Sequence, residues 1–152
     1  MVHEVIKKEF DNKVVEIRRV TRVVAGGKRM RFRALVVIGD RNGRVGIGLR
    51  KGVDVADAIG KATSQAKKHL IQAPLKDGTI PQRIQMKYKS AVVLLKPARA
   101  GTGIIAGGPV RAVLSLAGVK NITSKMLGSS NKISNVRATY EALRQLRERF
   151  SE

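Results

Sequence analysis

The clearest pattern in the chain is alternation. Met30, Phe32, Ala34, Val36 and Ile38 alternate with Arg29, Arg31 and Arg33, the period-two signature of a half-buried strand. Beyond Arg33 the intervening positions turn apolar as well (Leu35, Val37), so that end should be covered on both faces. The preceding run, Val14 to Ala25, has Val15, Ile17, Thr21 and Val23 on one side and Arg18 and Arg22 on the other. Val20 and Val24 break its alternation, which admits a bulge or a two-sided environment. In the following run Val45, Ile47 and Leu49 form the inward set, while Gly46 and Gly48 leave the other face bare, as where a second backbone comes close. Ala25-Gly26-Gly27-Lys28 and Asp40-Arg41-Asn42-Gly43-Arg44 join the three runs, with Gly-Gly and Asn-Gly supplying the left-handed positions of tight turns. The period then becomes helical: Asp54 can cap, Asp57 lies in the first turn, and Val55, Ile59, Ala62, Ala66 and Leu70 form a stripe ending at Lys67, Lys68 and His69. A βββα unit is expected over residues 14–73, after a polar, flexible arm at 1–13.

Pro74 to Pro81 interrupts the pattern and reads as a linker, 74–81. The second unit, 82–152, brings back strands: Ile80 to Lys87 and Ser90 to Lys96 form a hairpin whose second strand, with Ala91-Val92-Val93-Leu94-Leu95, is central. The glycine-rich Gly101 to Gly108 leads into a helix with Pro109 at its first position and Gly118 as its stop. Val119 to Met126 is a strand, Gly128 to Lys132 a loop, and the last helix is capped near Ser134 with Val136, Tyr140, Leu143 and Leu146 inward. The fold class is α+β: two small two-layer domains, βββα then ββαβα. Halves of about 75 residues bury only about 60% of their unfolded surface, so they should pack on one another or lean on a partner.

Charge narrows the function. The 152 residues carry 31 Lys plus Arg against 11 Asp plus Glu, a formal +20. Such an excess calls for a polyanion, and nucleic acid fits better than an anionic membrane or an acidic protein. Cysteine is absent, excluding disulfides and thiolate metal sites. The first residues lack an apolar signal run, and no apolar stretch approaches the roughly 20 residues that span a bilayer, so a cytoplasmic protein is expected. Aromatics are only 3%. The chain therefore cannot offer a base-stacking platform of any size, and its contacts should go to phosphate, sugar and groove shape.

The expected RNA-binding set is Arg18, Arg19, Arg22, Gly26, Gly27, Lys28, Arg29, Arg31, Arg33, Arg41, Asn42, Arg44, Arg50 and Lys51, both turns projecting their charges outward. The second half adds Lys125, Ser129, Asn131 and Lys132. Lys7, Lys8, Arg144, Arg147 and Arg149 read equally well as a solvated surface. The Gly101–Gly108 loop has three readings: a tight turn into a helix, an RNA-phosphate or protein contact, or a small-nucleotide site. It lacks the Gly-Lys-Ser/Thr of a P-loop and the spacing of a dinucleotide fingerprint. The carboxylates are dispersed without an evident pair, and His3 and His69 have no second ligand nearby. No enzyme, metal or cofactor is expected.

The strings Arg19-Val20-Thr21-Arg22-Val23-Val24-Ala25-Gly26-Gly27-Lys28, Arg31-Phe32-Arg33-Ala34-Leu35-Val36-Val37-Ile38-Gly39-Asp40 and Gly43-Arg44-Val45-Gly46 resemble the N-terminal half of the family of bacterial ribosomal protein number five of the small subunit. Lys96-Pro97-Ala98, Gly101-Thr102-Gly103-Ile104-Ile105-Ala106-Gly107-Gly108, Arg111-Ala112-Val113 and Asn135-Val136-Arg137-Ala138-Thr139 resemble its second half. The resemblance implies a first domain related to the double-stranded-RNA-binding fold and a second with a left-handed βαβ crossover. It implies a structural, rRNA-binding constituent of the small subunit near the neck and the channel by which messenger RNA enters, beside the fourth and eighth proteins. By the same likeness Val24 to Arg29 would reach rRNA near where spectinomycin acts. Gly101, Gly103 and Arg111 would face the fourth protein, where changes alter decoding accuracy. A free double-stranded-RNA-binding regulator or RNA chaperone is the alternative, and a nucleotide phosphotransferase a remoter one. Neither a membrane nor a small-molecule substrate is expected as partner.

Overall fold

The computed structural model describes residues 10–150. In the first half β1 (Asp11–Val24), β2 (Gly27–Gly39) and β3 (Arg44–Gly52) form an antiparallel meander, followed by α1 (Val55–Lys68) and a two-residue strand, β4 (Ile71–Gln72), that pairs with the start of β3. β1 begins inside the segment expected as an arm, with Asp11 opposite Gly39, and the rest of that segment, 1–9, lies outside the described residues. Of the two readings that Val20 and Val24 admit, a bulge or a two-sided environment, no register shift falls at either residue; the one in β1 lies between Val14 and Glu16. Near Val20 the ribbon is solvated on both sides, so no buried face penalises the irregular pattern there.

Asp54 caps α1: its carboxylate accepts from the Asp57 amide at 2.7 Å, and Asp57 in turn accepts from the Val53 amide at 3.0 Å. That second bond is the main reason the Asp57 carboxyl sits below its ordinary range, with Lys61 adding to it. The buried stripe of α1 is Ala58, Ala62 and Ala66, whereas Val55, expected inward, is exposed and Ile59 and Leu70 flank the contact. The reason lies on β3, where a Cβ at Gly46 would strike the Ala66 carbonyl and one at Gly48 the Ala62 carbonyl. Alanine facing glycine lets helix and sheet approach more closely than larger side chains would allow.

The sheet is covered twice. Ala34, Val36 and Ile38 pack under α1, while Leu35, Val37, Val45 and Ile47 enter a larger core shared with the second half. This is the two-sided burial expected beyond Arg33, and it makes the halves one packed body.

The second half contains β5 (Ile84–Tyr88), β6 (Ala91–Pro97), β7 (Ile104–Ile105), α2 (Gly108–Ala117), β8 (Ile122–Met126) and α3 (Lys132–Phe150), its sheet ordered β5-β6-β8-β7. β7, two residues inside the expected glycine loop, pairs parallel with β8, so β7–α2–β8 is a βαβ crossover and the half reads βββαβα. Ile80 was expected to open the hairpin; it instead lies buried ahead of β5, fixing the linker to the core. Gly118 ends α2 at φ 92°. α3 starts earlier than expected because Asn131, a strong cap, accepts from the Ile133 amide at 3.1 Å, leaving Ser134 inside the helix and buried. Val136, Tyr140, Leu143 and Leu146 point inward as expected.

Candidate nucleic-acid interface

Strand register determines what the basic residues can do together. Arg18 faces Arg33, Val20 faces Arg31 and Arg22 faces Arg29 across β1 and β2, and Arg33 faces Lys51 across β2 and β3. Directly opposed residues share a sheet face, as do alternate residues along a strand. One face therefore carries Arg18, Arg22, Arg29, Arg31, Arg33 and Lys51. Arg19, Lys28 and Arg50 lie on the other, where the Arg19 guanidinium approaches the Met30 sulfur at 3.6 Å. Residues 21–31 are exposed throughout, and the connecting loop is only Ala25-Gly26. Gly27, at φ 143°, makes the turn, and a Cβ at either Gly26 or Gly27 would meet nothing within 4 Å. The tip is thus open to a close-approaching ligand backbone.

Like charges placed opposite one another on a sheet destabilise it. Among the described residues Glu16, bound to Arg18, is the one carboxylate ion-paired to this face. The opposition is relieved when a polyanion lies across it.

The second turn behaves differently from expectation. Arg41 donates through its amide to the Leu116 carbonyl at 3.0 Å, and Gly43 to the Ala117 carbonyl at 2.8 Å. These are last-turn carbonyls of α2, which have no partner within the helix. Arg41 also reaches Asp11 at 2.8 Å and the Ser115 hydroxyl at 3.3 Å. Asp40 accepts from the amides of Asn42 and Arg44 at 2.8 and 3.0 Å and from the Arg44 guanidinium at 2.8 Å. Burial raises the Asp40 carboxyl, but those three bonds outweigh it and the net displacement is downward. Arg44 further lies over the Phe10 ring at 4.8 Å. Arg41 therefore ties the second turn to the end of α2, while Arg44 braces Asp40 and Phe10 within the first half. Asn42 is exposed, with its carbonyl accepting from the Gln72 side chain at 3.2 Å.

The remaining candidates divide. Ser129, Asn131 and Lys132 line a cleft between the halves whose opposite wall is Arg18, Arg33 and Leu49, so the cationic sheet face runs directly into it. Two of them have internal duties: Ser129 accepts from the Asn131 amide at 3.1 Å, and Asn131 caps α3. Lys125 is exposed on the outer face of β8 and does not line the cleft. The cleft also contains Tyr88, Lys89 and Arg137, which lie outside the set expected from sequence. Lys89 and Arg137 stand 5.9 and 6.0 Å from the Tyr88 ring centre. The available signal was Tyr88-Lys89-Ser90, the tip of a second basic hairpin, with Lys89 at φ 53°.

In the glycine loop, the amides of Gly101 and Gly103 both donate to the Asn121 side chain at 3.0 Å, at φ 90° and 76°. Amides engaged in this way do not form a phosphate cradle, which favours the tight-turn reading. Arg111 is exposed on α2.

Comparison with known proteins agrees with this two-part layout. The model described as Ribosomal protein S5, N-terminal domain, matches residues 10–74, and that described as Ribosomal protein S5, C-terminal domain, matches residues 86–149. The Small ribosomal subunit protein uS5 of Persephonella marina is 57% identical over 139 residues, covering 91% of this chain and 72% of the relative. The protein of the same name from Treponema pallidum subsp. pallidum is 51% identical over 139 residues, covering 91% and 81%. With both domain models in chain order and relatives this similar over most of their length, the chain belongs to the ribosomal protein S5 family.

Proposed function

We propose that this chain is a structural, non-enzymatic constituent of the small ribosomal subunit that binds its rRNA through phosphate and groove-shape contacts. The observation that carries the reading is the single sheet face bearing Arg18, Arg22, Arg29, Arg31, Arg33 and Lys51, which ends in an open glycine tip. Point charges held at fixed spacing suit a duplex or folded RNA backbone, and the scarcity of exposed aromatics disfavours base reading. Lys28 and the Val24–Arg29 loop would reach furthest, into the rRNA region where spectinomycin acts. Gly101, Gly103 and Arg111 are placed toward the fourth small-subunit protein, with the eighth as another neighbour and messenger RNA close to the entering channel. That placement assigns them an influence on translational accuracy. The protein is expected in the cytoplasm, bound to ribosomes.

Sedimentation of tagged protein from cell lysate tests this. The parent chain travels with small subunits, and Arg22→Gln/Arg29→Gln/Arg31→Gln shifts a large share of it to the soluble fraction. A parent chain found chiefly in the soluble fraction would favour the free RNA-binding regulator and overturn the reading.

A further inference from the structure

The hairpin accounts for one end of the cationic face; the other end runs into the cleft between the halves. There Arg18 and Arg33 from β1 and β2 confront Lys132, Ser134 and Arg137 from the first two turns of α3, with Tyr88 at the side. The N-terminus of this 19-residue helix supplies partial positive charge, and of its first amides Asn131 satisfies that of Ile133. A second observation is independent of the helix end. Ser134 is 4% exposed, lines the cleft, and its hydroxyl makes no hydrogen bond among the described residues. The residue is nearly covered, and its hydroxyl, free of any partner among the described residues, is a donor that a ligand oxygen in the cleft can use. Among the described residues Glu16 is the cleft's one carboxylate, and it is already bound to Arg18.

We propose that the cleft seats a single phosphate of an RNA strand that passes between the hairpin and α3, a second RNA contact distinct from the hairpin tip. The proposal rests on the RNA-binding reading but concerns a different surface. One phosphate oxygen accepts from the Ser134 hydroxyl and the α3 amides, and the others face the guanidinium groups of Arg33 and Arg137. Because the two walls belong to different halves, a strand lodged there clamps them together. Arg33 belongs to both surfaces, so a strand entering the cleft can continue along the sheet face to the tip.

The test is amide chemical-shift mapping on isotope-labelled full-length protein, with a short oligouridylate as the probe and inorganic phosphate as the second arm. The oligonucleotide is expected to move the amides of Ile133, Ser134 and Arg137, and to do so equally in Lys28→Gln/Arg29→Gln/Arg31→Gln protein. Ser134→Ala/Arg137→Gln is expected to abolish those shifts and weaken oligouridylate binding about tenfold while the hairpin amides still respond. Matching thermal melts establish that this variant is folded. Shifts confined to the hairpin would overturn the cleft proposal and leave the hairpin reading intact. Shifts confined to the cleft would do the reverse. Equal shifts with inorganic phosphate alone would overturn the RNA strand as occupant in favour of a free anion.

Discussion

The meeting of α1 and β3 gives the sharpest test of how this fold is held. A Cβ added at Gly48 would lie 2.8 Å from the Ala62 carbonyl carbon and 3.1 Å from the Ala66 nitrogen, with the Ala62 oxygen closer still. These are backbone atoms of a helix, so no side-chain rotation relieves the clash and α1 must move off the sheet. Overpacking with some room to relax costs about 1–3 kcal/mol, and here the upper end or slightly more applies, about 3 kcal/mol. Gly60 provides the control. It lies in the same helix, exposed, and a Cβ there would meet nothing within 4 Å. Replacing an open helical glycine with alanine restricts the unfolded chain and gains about 0.5–1 kcal/mol. The same chemical change thus has opposite signs at positions separated by one contact layer. At about 2–4 °C per kcal/mol for a chain of this size, Gly48→Ala should melt about 10 °C lower and Gly60→Ala about 2 °C higher in circular-dichroism scans. A Gly48→Ala protein melting within about 2 °C of the parent would refute the close-packing argument.

Three further outcomes follow from the polar contacts. The Asp40 carboxyl lies below its ordinary 3.8, so the fold favours the ionised form; that stability is present in full above 3.8 and is lost as pH falls through the lower folded value. The advantage of the parent over Asp40→Asn in urea unfolding should therefore be large at about pH 6 and shrink by about pH 2, whereas a gap independent of pH would sink the ionic role. Tyr140 donates its hydroxyl to the His69 carbonyl at 2.7 Å, tying α3 to the end of α1, so Tyr140→Phe should cost about 1 kcal/mol in the same assay. No loss would mean that this carbonyl finds water without penalty. Asn121→Ala strips the acceptor from Gly101 and Gly103, and hydrogen exchange at those two amides should accelerate while that of β8 holds; unchanged protection would mean another group orders the loop.

The elements that could be read from sequence are those whose residues report their own surroundings. The alternation around Met30 to Ile38 located β2 and its two-sided burial, and Asp54, Pro109 and Gly118 marked helix ends through local backbone chemistry. Contacts between halves left no such trace. Nothing near Arg41 indicates that its amide and guanidinium meet the end of α2, more than 70 residues on, so the local sequence presents the turn as a free tip. β7 is two residues long and exists through pairing with β8, below the length at which periodicity speaks. The α1 stripe had the correct period but an outward Val55, because the glycines of β3, and no property of the helix itself, select alanine for the contact. Much the same applies to the interface. The basic hairpin is visible as charge plus turn residues, whereas the cleft assembles Arg33, Ser134 and Arg137 from distant segments and appears only once the halves are docked.

The central claim is that surplus charge aligned on one sheet face grips RNA phosphates, and the salt dependence of binding tests it most directly. Each phosphate neutralised contributes about 0.9 to the slope of log affinity against log salt on a duplex and about 0.7 on a single strand. Measured on a small-subunit rRNA fragment, Arg22→Gln/Arg29→Gln/Arg31→Gln/Arg33→Gln should reduce the magnitude of the slope by about 3–4, with no loss of thermal stability because opposed charges are removed. Arg41→Gln/Arg44→Gln, whose charges are engaged within the protein, should leave it nearly unchanged. A slope unaltered by the four hairpin substitutions, in a protein that still folds, would contradict the account.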